Sequence, residues 1–322
     1  GGLLLRLPYR PPLDWAAMSG FFKQRATTGV EAVDGDCYRR TIQLNSVAGV
    51  IELRRVANEA YLLMHVWLPS YECVMQVAER ARRIFDLGPD PLQIAEHLRR
   101  CPALADVLAA APGLRVPGGW DGFEVAVRAV LGQQASVALA KTMAGRLVKA
   151  FGAPLPGYEN LALTHLFPQP ETLAEADLRV IGITESRANT IGALASSVVR
   201  GELELNASQG LDEAISRLRA IPGMDDWTPN YIAMRALGET DAFPSDDLGL
   251  RRALSIGKRG KSRVSVRELT KIADEWRPWR AYAAMHLWAG LARAADGNEG
   301  GRIYATNHTA TKSRGFSSAA CG

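Results

Sequence analysis

The stretch IPGMDDWTPNY, Ile221 to Tyr231, lies between two runs of helical periodicity, Leu211 to Ala220 and Thr228 to Leu237. Pro222-Gly223 punctuates it as a tight turn. Helix, turn and helix make a helix–hairpin–helix, and this reading places the surrounding chain in an all-helical domain. Backbone N–H groups at the start of the second helix lack helical partners and carry partial positive charge, so they can hold a phosphate. A plain connection between helices would look the same. Asp225 and Asp226 at the tip oppose a phosphate, and Pro229 removes one N–H.

Upstream the texture differs. Tyr38 to Leu44, Val50 to Val56 and Tyr61 to Leu68 read as strands, the last apolar on both faces and so central. Short turns at Val33 to Asp36 and Ala57 to Glu59 suggest antiparallel hairpins. Trp15 to Thr27 and Tyr71 to Leu87 read as helices. From Pro91 helix follows helix, with an amphipathic stripe through Ala140, Ala144, Leu147, Val148 and Phe151. Further helices are expected at Glu171 to Val180, Ser186 to Arg200, Leu248 to Leu254, Val266 to Trp276 and Trp279 to Ala295. The expected fold is an α+β amino-terminal domain over 1–90, an antiparallel sheet with helices, followed by an all-α domain over 91–297. Residues 298–322 are polar, without period, and read as a disordered tail.

Composition narrows the class. The 322 residues are 47% hydrophobic and 22% charged, as in ordinary globular proteins. No apolar run reaches the length of about 18 residues that spans a membrane. A net charge of +4 is compatible with nucleic acid but weak evidence for it. Cys37, Cys73, Cys101 and Cys321 match no metal spacing, so a reducing, cytoplasmic location is expected. The chain opens on Gly without a signal-peptide pattern, which fits a fragment or processed form of something longer.

Three more stretches carry chemistry. In DAFPSDDLGLRRAL, Ser245, Asp246 and Asp247 precede a short helix. One of them caps it; a second acid exceeds what a cap requires. A carboxylate fixed at a helix start can stabilise a developing cation or orient water. In EWRPWRAYAAMHLWAGL, Ala281, Met285 and Trp288 share a face, as core or as the wall for a flat ligand. In VLGQQASVALAKTM, Gln133 and Gln134 break two apolar helices, with Ser136 as N-cap. His65, His97, His165 and His286 have no metal-ligand spacing and read as structural.

In this order, PGLRVPGGWDGFEVAVRAVLGQQASVALAKTMAGRLV, IPGMDDWTPNYIAMRAL, DAFPSDDLGLRRAL and ADEWRPWRAYAAMHLW resemble the helix–hairpin–helix DNA glycosylases. The match is to the 3-methyladenine DNA glycosylase II (AlkA) branch, whose amino-terminal domain LPYRPPLDWAAMSGFFKQRATTGVEAV also resembles. The resemblance spans about residues 3 to 295 and implies excision of alkylated purines of the 3-methyladenine and 7-methylguanine type from double-stranded DNA. It places the catalytic carboxylate on Asp247 and the substrate pocket on Trp227, Tyr231, Trp288 and Asp246. It places DNA contacts on Gln133, Gln134, Gly223, Met224, Asp225 and Thr228. Gln134 would fill the gap left by the extruded nucleotide, where the branch often has an apolar wedge. The carbonyls of Ile221 and Met224 would carry a monovalent cation; no cofactor is required, and a monomer is expected. Trp227 stands where lyase-type relatives carry a Schiff-base Lys, so the resemblance implies a monofunctional enzyme. The four-cysteine iron–sulfur loop of other branches is missing, since Cys321 alone follows Cys101. Some members are fused behind a methyltransferase and regulator module. A non-catalytic damage-binding relative, favoured by the acidic hairpin, and a glycosylase for other damaged bases remain the alternatives.

The chemistry is coherent. A base inside a duplex must be flipped out to be reached. A cationic alkylated purine is already a good leaving group and needs little general acid. One carboxylate then suffices for the oxocarbenium-like sugar, and aromatic faces attract the cationic base.

Overall fold

In the computed structural model, residues 2–206, 210–255 and 264–296 are described; the expected tail lies outside them. Five antiparallel strands form one sheet in the order β1-β5-β4-β3-β2: β1 Leu3–Pro8, β2 Glu31–Asp34, β3 Cys37–Leu44, β4 Val47–Arg55 and β5 Tyr61–Trp67. The apolar-rich β5 is interior, flanked by β1 and β4. Helices α1 (Trp15–Arg25) and α2 (Val74–Ile84) cover the sheet. Trp15, Met18 and Phe22 from α1 meet Val77, Ala81 and Ile84 from α2 over Ile51, Leu53 and Met64.

The helical part follows: α3 Pro91–Leu98, α4 Ala105–Ala109, α5 Gly122–Gly132, α6 Val137–Phe151, α7 Pro170–Glu175 and α8 Glu185–Val199. After these come α9 Leu211–Arg219, α10 Trp227–Ile232, α11 Leu248–Ala253, α12 Val266–Ala273 and α13 Arg280–Asp296. An α+β part with an antiparallel sheet, then a helical part, is the expected order. Local chemistry sets the boundaries. Ser136 Oγ accepts from Leu139 N at 3.1 Å and starts α6. Ser265 and Glu268 form a capping box on α12. The helix expected over Glu171 to Val180 is broken, because Asp177 caps a separate 3-10 turn at Leu178–Ile181.

Two apolar cores divide the helices. One joins α5, α6 and α8 to Leu218, Ile221 and Ile232. The other gathers residues of the 94–116 segment with those of α11, α12 and α13. Tyr231 packs against both, so the helix that follows the hairpin stands at their junction.

One polar link ties the sheet's helices to α13. The Tyr282 hydroxyl donates to Asp86 Oδ2 at 2.6 Å, and Val116 N reaches the same oxygen at 3.3 Å. Burial pushes the Asp86 carboxyl up to about 6. Folding therefore favours the neutral acid: the contribution is whole below the unfolded value of about 4 and is lost as pH climbs through the folded value. Asp86→Asn keeps an acceptor, cannot ionise, and suits the left-handed φ of 51° at this position. Urea unfolding from about pH 4 to pH 7 is expected to show the parent losing about 2 kcal/mol relative to this variant. Parallel stability curves would refute the assignment.

Candidate active site

Asp247 is the N-cap of α11. Its Oδ1 accepts from Leu250 N at 2.8 Å, the hydrogen bond that a cap makes. The cap is only part of its role. Trp288 Nε1 donates to the same oxygen at 3.0 Å, and Trp227 Nε1 donates to Oδ2 at 2.9 Å. Asp247 is 2% exposed, so the carboxylate is held under two indoles rather than facing bulk water. An ionised carboxylate has about four acceptor sites. Among the described residues, three of these are used, by Leu250, Trp288 and Trp227.

The indoles come from different elements. Trp227 begins α10, and the Tyr231 ring one turn later stacks on it at 4.5 Å with 20° between planes. Trp288 comes from α13, whose start is fastened to the loop before Asp247. Arg280 Nε donates to Asp241 Oδ1 at 2.7 Å, Arg280 Nη2 to Asp241 Oδ2 at 2.9 Å, and Ala281 N to Thr240 O at 2.9 Å. Asp246 is half-buried in the same loop.

Two participants escaped the sequence reading. Gly249 lets Trp288 and Asp247 meet: a Cβ there would stand 2.9 Å from Asp247 Oδ1 and 3.5 Å from Trp288 Cδ1. Arg235 is buried in a π-helical turn, Ala233–Leu237, continuing α10. Its Nη1 donates to the Tyr231 hydroxyl at 2.8 Å, while Nε and Nη2 donate to Pro117 O and Gly118 O at 2.7 and 3.0 Å. Burial alone would raise the Tyr231 hydroxyl pKa, but the guanidinium groups of Arg235, Arg25 and Arg128 together outweigh this and lower it. A cation in the apolar run IAMRAL was the available signal.

The hairpin answers for its two acids separately. Asp225 Oδ1 accepts from Thr228 N at 2.7 Å and so caps the helix that carries Trp227. Asp226 is exposed and lies 3.7 Å from Arg219. The left-handed position in the turn is Gly223, at φ 82°, and not Asp225. Ile221 O accepts from Met224 N at 3.1 Å, and Met224 is half-buried. Gln134 is exposed in the α5–α6 turn; Gln133 beside it turns its amide toward the hairpin, donating to Thr228 Oγ1 at 3.1 Å. Trp227, Tyr231, Trp288 and Asp247 are thus brought into one cluster, with Thr228, Gly223 and Gln133 at its edge.

Residues 4–121 match the AlkA N-terminal domain, and residues 127–278 match the HhH-GPD superfamily base excision DNA repair protein family. DNA-3-methyladenine glycosylase 2 of Escherichia coli is 33% identical over 88% of this chain and 95% of its own length. The chain belongs to the HhH-GPD superfamily. Within the superfamily it is also 41% identical, over 90% of its length, to the probable bifunctional transcriptional activator/DNA repair enzyme AlkA of Mycobacterium tuberculosis. It spans 58% of that relative. Among solved structures, the 3-methyladenine DNA-glycosylase from Archaeoglobus fulgidus superposes with a TM-score of 0.76 at 22% identity, covering 88% of this chain and 97% of that one.

Proposed function

We propose that this chain hydrolyses the N-glycosidic bond of alkylated purines in double-stranded DNA, without lyase activity. The observation that carries the reading is the buried carboxylate of Asp247, gripped by two indole N–H groups beside a stacked Trp–Tyr pair. An extruded cationic base lies against the aromatic faces. The bond to C1′ breaks, and its electron pair leaves with the base and cancels the base's charge. Asp247 stabilises the cationic sugar in a site of low water content, where its charge counts for more than in bulk solvent. Water adds to C1′ and gives its proton to the carboxylate, which returns it to solvent. Trp227, where a Schiff-base amine would have to stand, supports a monofunctional course.

DNA is held by the hairpin and the α5–α6 turn in this reading, and a monovalent cation fits the carbonyls of Ile221 and Met224. The Ile221 carbonyl has accepted one hydrogen bond and keeps a second lone pair. No organic cofactor enters the scheme, and the protein acts as a cytoplasmic monomer. No described helix is long and apolar enough to cross a membrane. The test is release of free 3-methyladenine and 7-methylguanine from methylated duplex, with the strand left uncut and no borohydride-trapped adduct. Strand cleavage with trapping would sink the monofunctional reading.

Asp225 weakens the hold on DNA. It spends Thr228 N internally and adds negative charge at the face a phosphate would approach. Asp225→Gly removes both effects, and Gly replaces Asp at a cap for only a few tenths of a kcal/mol. Duplex affinity by fluorescence anisotropy is expected to rise about three- to tenfold at low salt, with the gain shrinking as salt is added. Unchanged affinity would show that phosphate does not approach this helix.

A further inference from the structure

The exposed α5–α6 turn and the hairpin are joined by side chains that the chemistry at Asp247 does not use. Ala135 N bonds to Gly132 O at 3.2 Å, with Gln133 at φ −56°, ψ 125° and Gln134 at φ 50°, close to a type II turn. Gln134 faces outward. Gln133 faces inward: its Nε2 donates to Thr228 Oγ1 at 3.1 Å and reaches Gly223 O at 3.4 Å. The Gln133 carbonyl accepts from Arg187 Nη2 at the start of α8. One turn along α8, Thr190 packs under Gly223 so closely that a Cβ there would come within 2.0 Å of Thr190 Oγ1. Thr228, the far end of the link, is fully buried and adjoins Trp227.

A side chain that reads base edges needs free donors and acceptors. The Gln133 amide nitrogen is already engaged within the protein. We propose that Gln133 is a positioning residue, a tie that fixes the turn displaying Gln134 against the helix carrying Trp227. The group that enters the duplex and the wall that receives the extruded base then move as one body. This rests on the glycosylase reading above. Its cost of failure falls on paired DNA, where entry and extrusion must coincide, more than on unpaired DNA.

The test is a double-mutant cycle on Gln133→Ala and Thr228→Val, with methylated purine in duplex and in the same strand unpaired. The tie predicts that the duplex-to-single-strand ratio of kcat/KM falls about tenfold in either variant. It predicts no fall in the double variant beyond that of Gln133→Ala, because Thr228→Val cuts a bond that Gln133→Ala has already removed. An unchanged ratio, or losses that multiply, would overturn it; so would equal losses on both DNAs, the mark of a merely structural role. Amide exchange across residues 132–136 without DNA supplies an independent arm. Exchange is expected to quicken in both single variants, and in the double no more than in Gln133→Ala, and unaltered exchange would also overturn the tie. A parent that releases no base from either DNA would sink the glycosylase reading, and the exchange arm would then decide the tie alone.

Discussion

Replacing Asp247 with Asn is expected to cut base release from methylated duplex about a thousandfold while leaving the protein folded. Asn caps a helix about as well as Asp, so α11 keeps its start. Its single carbonyl oxygen can stay with Leu250 N and Trp288 Nε1, which share Oδ1 in the parent. The amide NH2 would then face Trp227 Nε1, and two donors cannot pair. The lost bond costs about 1–3 kcal/mol of stability, a shift visible in thermal melting but short of unfolding. The catalytic loss is larger because the neutral amide carries no charge to set against the sugar cation in a dry site. Single-turnover release measured by chromatography, with melting as control, checks both halves. Release at the parent's rate would remove Asp247 from the chemistry and leave it a cap.

Arg40→Met is expected to destabilise the fold by about 3–5 kcal/mol, the largest loss outside the site. Arg40 and Glu31 face each other across β3 and β2, and both are buried. Arg40 Nη2 lies 2.6 Å from Glu124 Oε2, and Nη1 lies 3.8 Å from Glu31 Oε1. Arg128, one turn after Glu124 on α5, contacts the same two acids at 3.1 and 2.8 Å. Two cations thus balance two carboxylates between the sheet and α5. Removing one leaves a net negative charge in an apolar seam, and Met fills volume without filling that role. Acid sensitivity adds a second readout. Burial would raise the Glu31 pKa, but Arg128 and Arg40 outweigh it and hold the group well below the usual carboxylate range. Stability from that depression is present above the ordinary carboxylate pKa and lost as pH falls below it. Without Arg40 that depression is smaller, so the variant should unfold at lower urea near neutral pH, and the gap to the parent should narrow as pH falls through the carboxylate range. Equal urea midpoints would show that the network is balanced without Arg40.

The same network explains what the sequence could not disclose. β3, β4 and β5 are legible because Tyr38 to Leu44 alternates in part, Val50 to Val56 stands between turn signals, and Tyr61 to Leu68 is apolar on both faces. β2 was missed: EAVD reads as polar, since its inward residue is Glu31, and hydrophobic patterning cannot see a carboxylate buried by distant arginines. β1 was missed for another reason. As an edge strand it is largely exposed, and LLLRLP shows no clean alternation. At the site, the order of motifs pointed to Asp247 and its aromatics. The bonds that make the carboxylate unusual cross 20 and 41 residues, beyond any local pattern. Gln133 and Gln134 read alike in sequence, yet backbone geometry turns one inward and the other out.

Gln134 has a consequence for how this chain changes over generations. The third position of a type II turn prefers glycine or asparagine, and a large side chain at φ 50° there costs about 1–2 kcal/mol. Random substitution toward Gly at this codon is downhill for folding, and every copy that keeps Gln carries that cost. If Gln134 enters DNA as proposed, selection for that entry and selection for a stable chain pull this single residue in opposite directions, whereas at a core position such as Leu250 they would pull together.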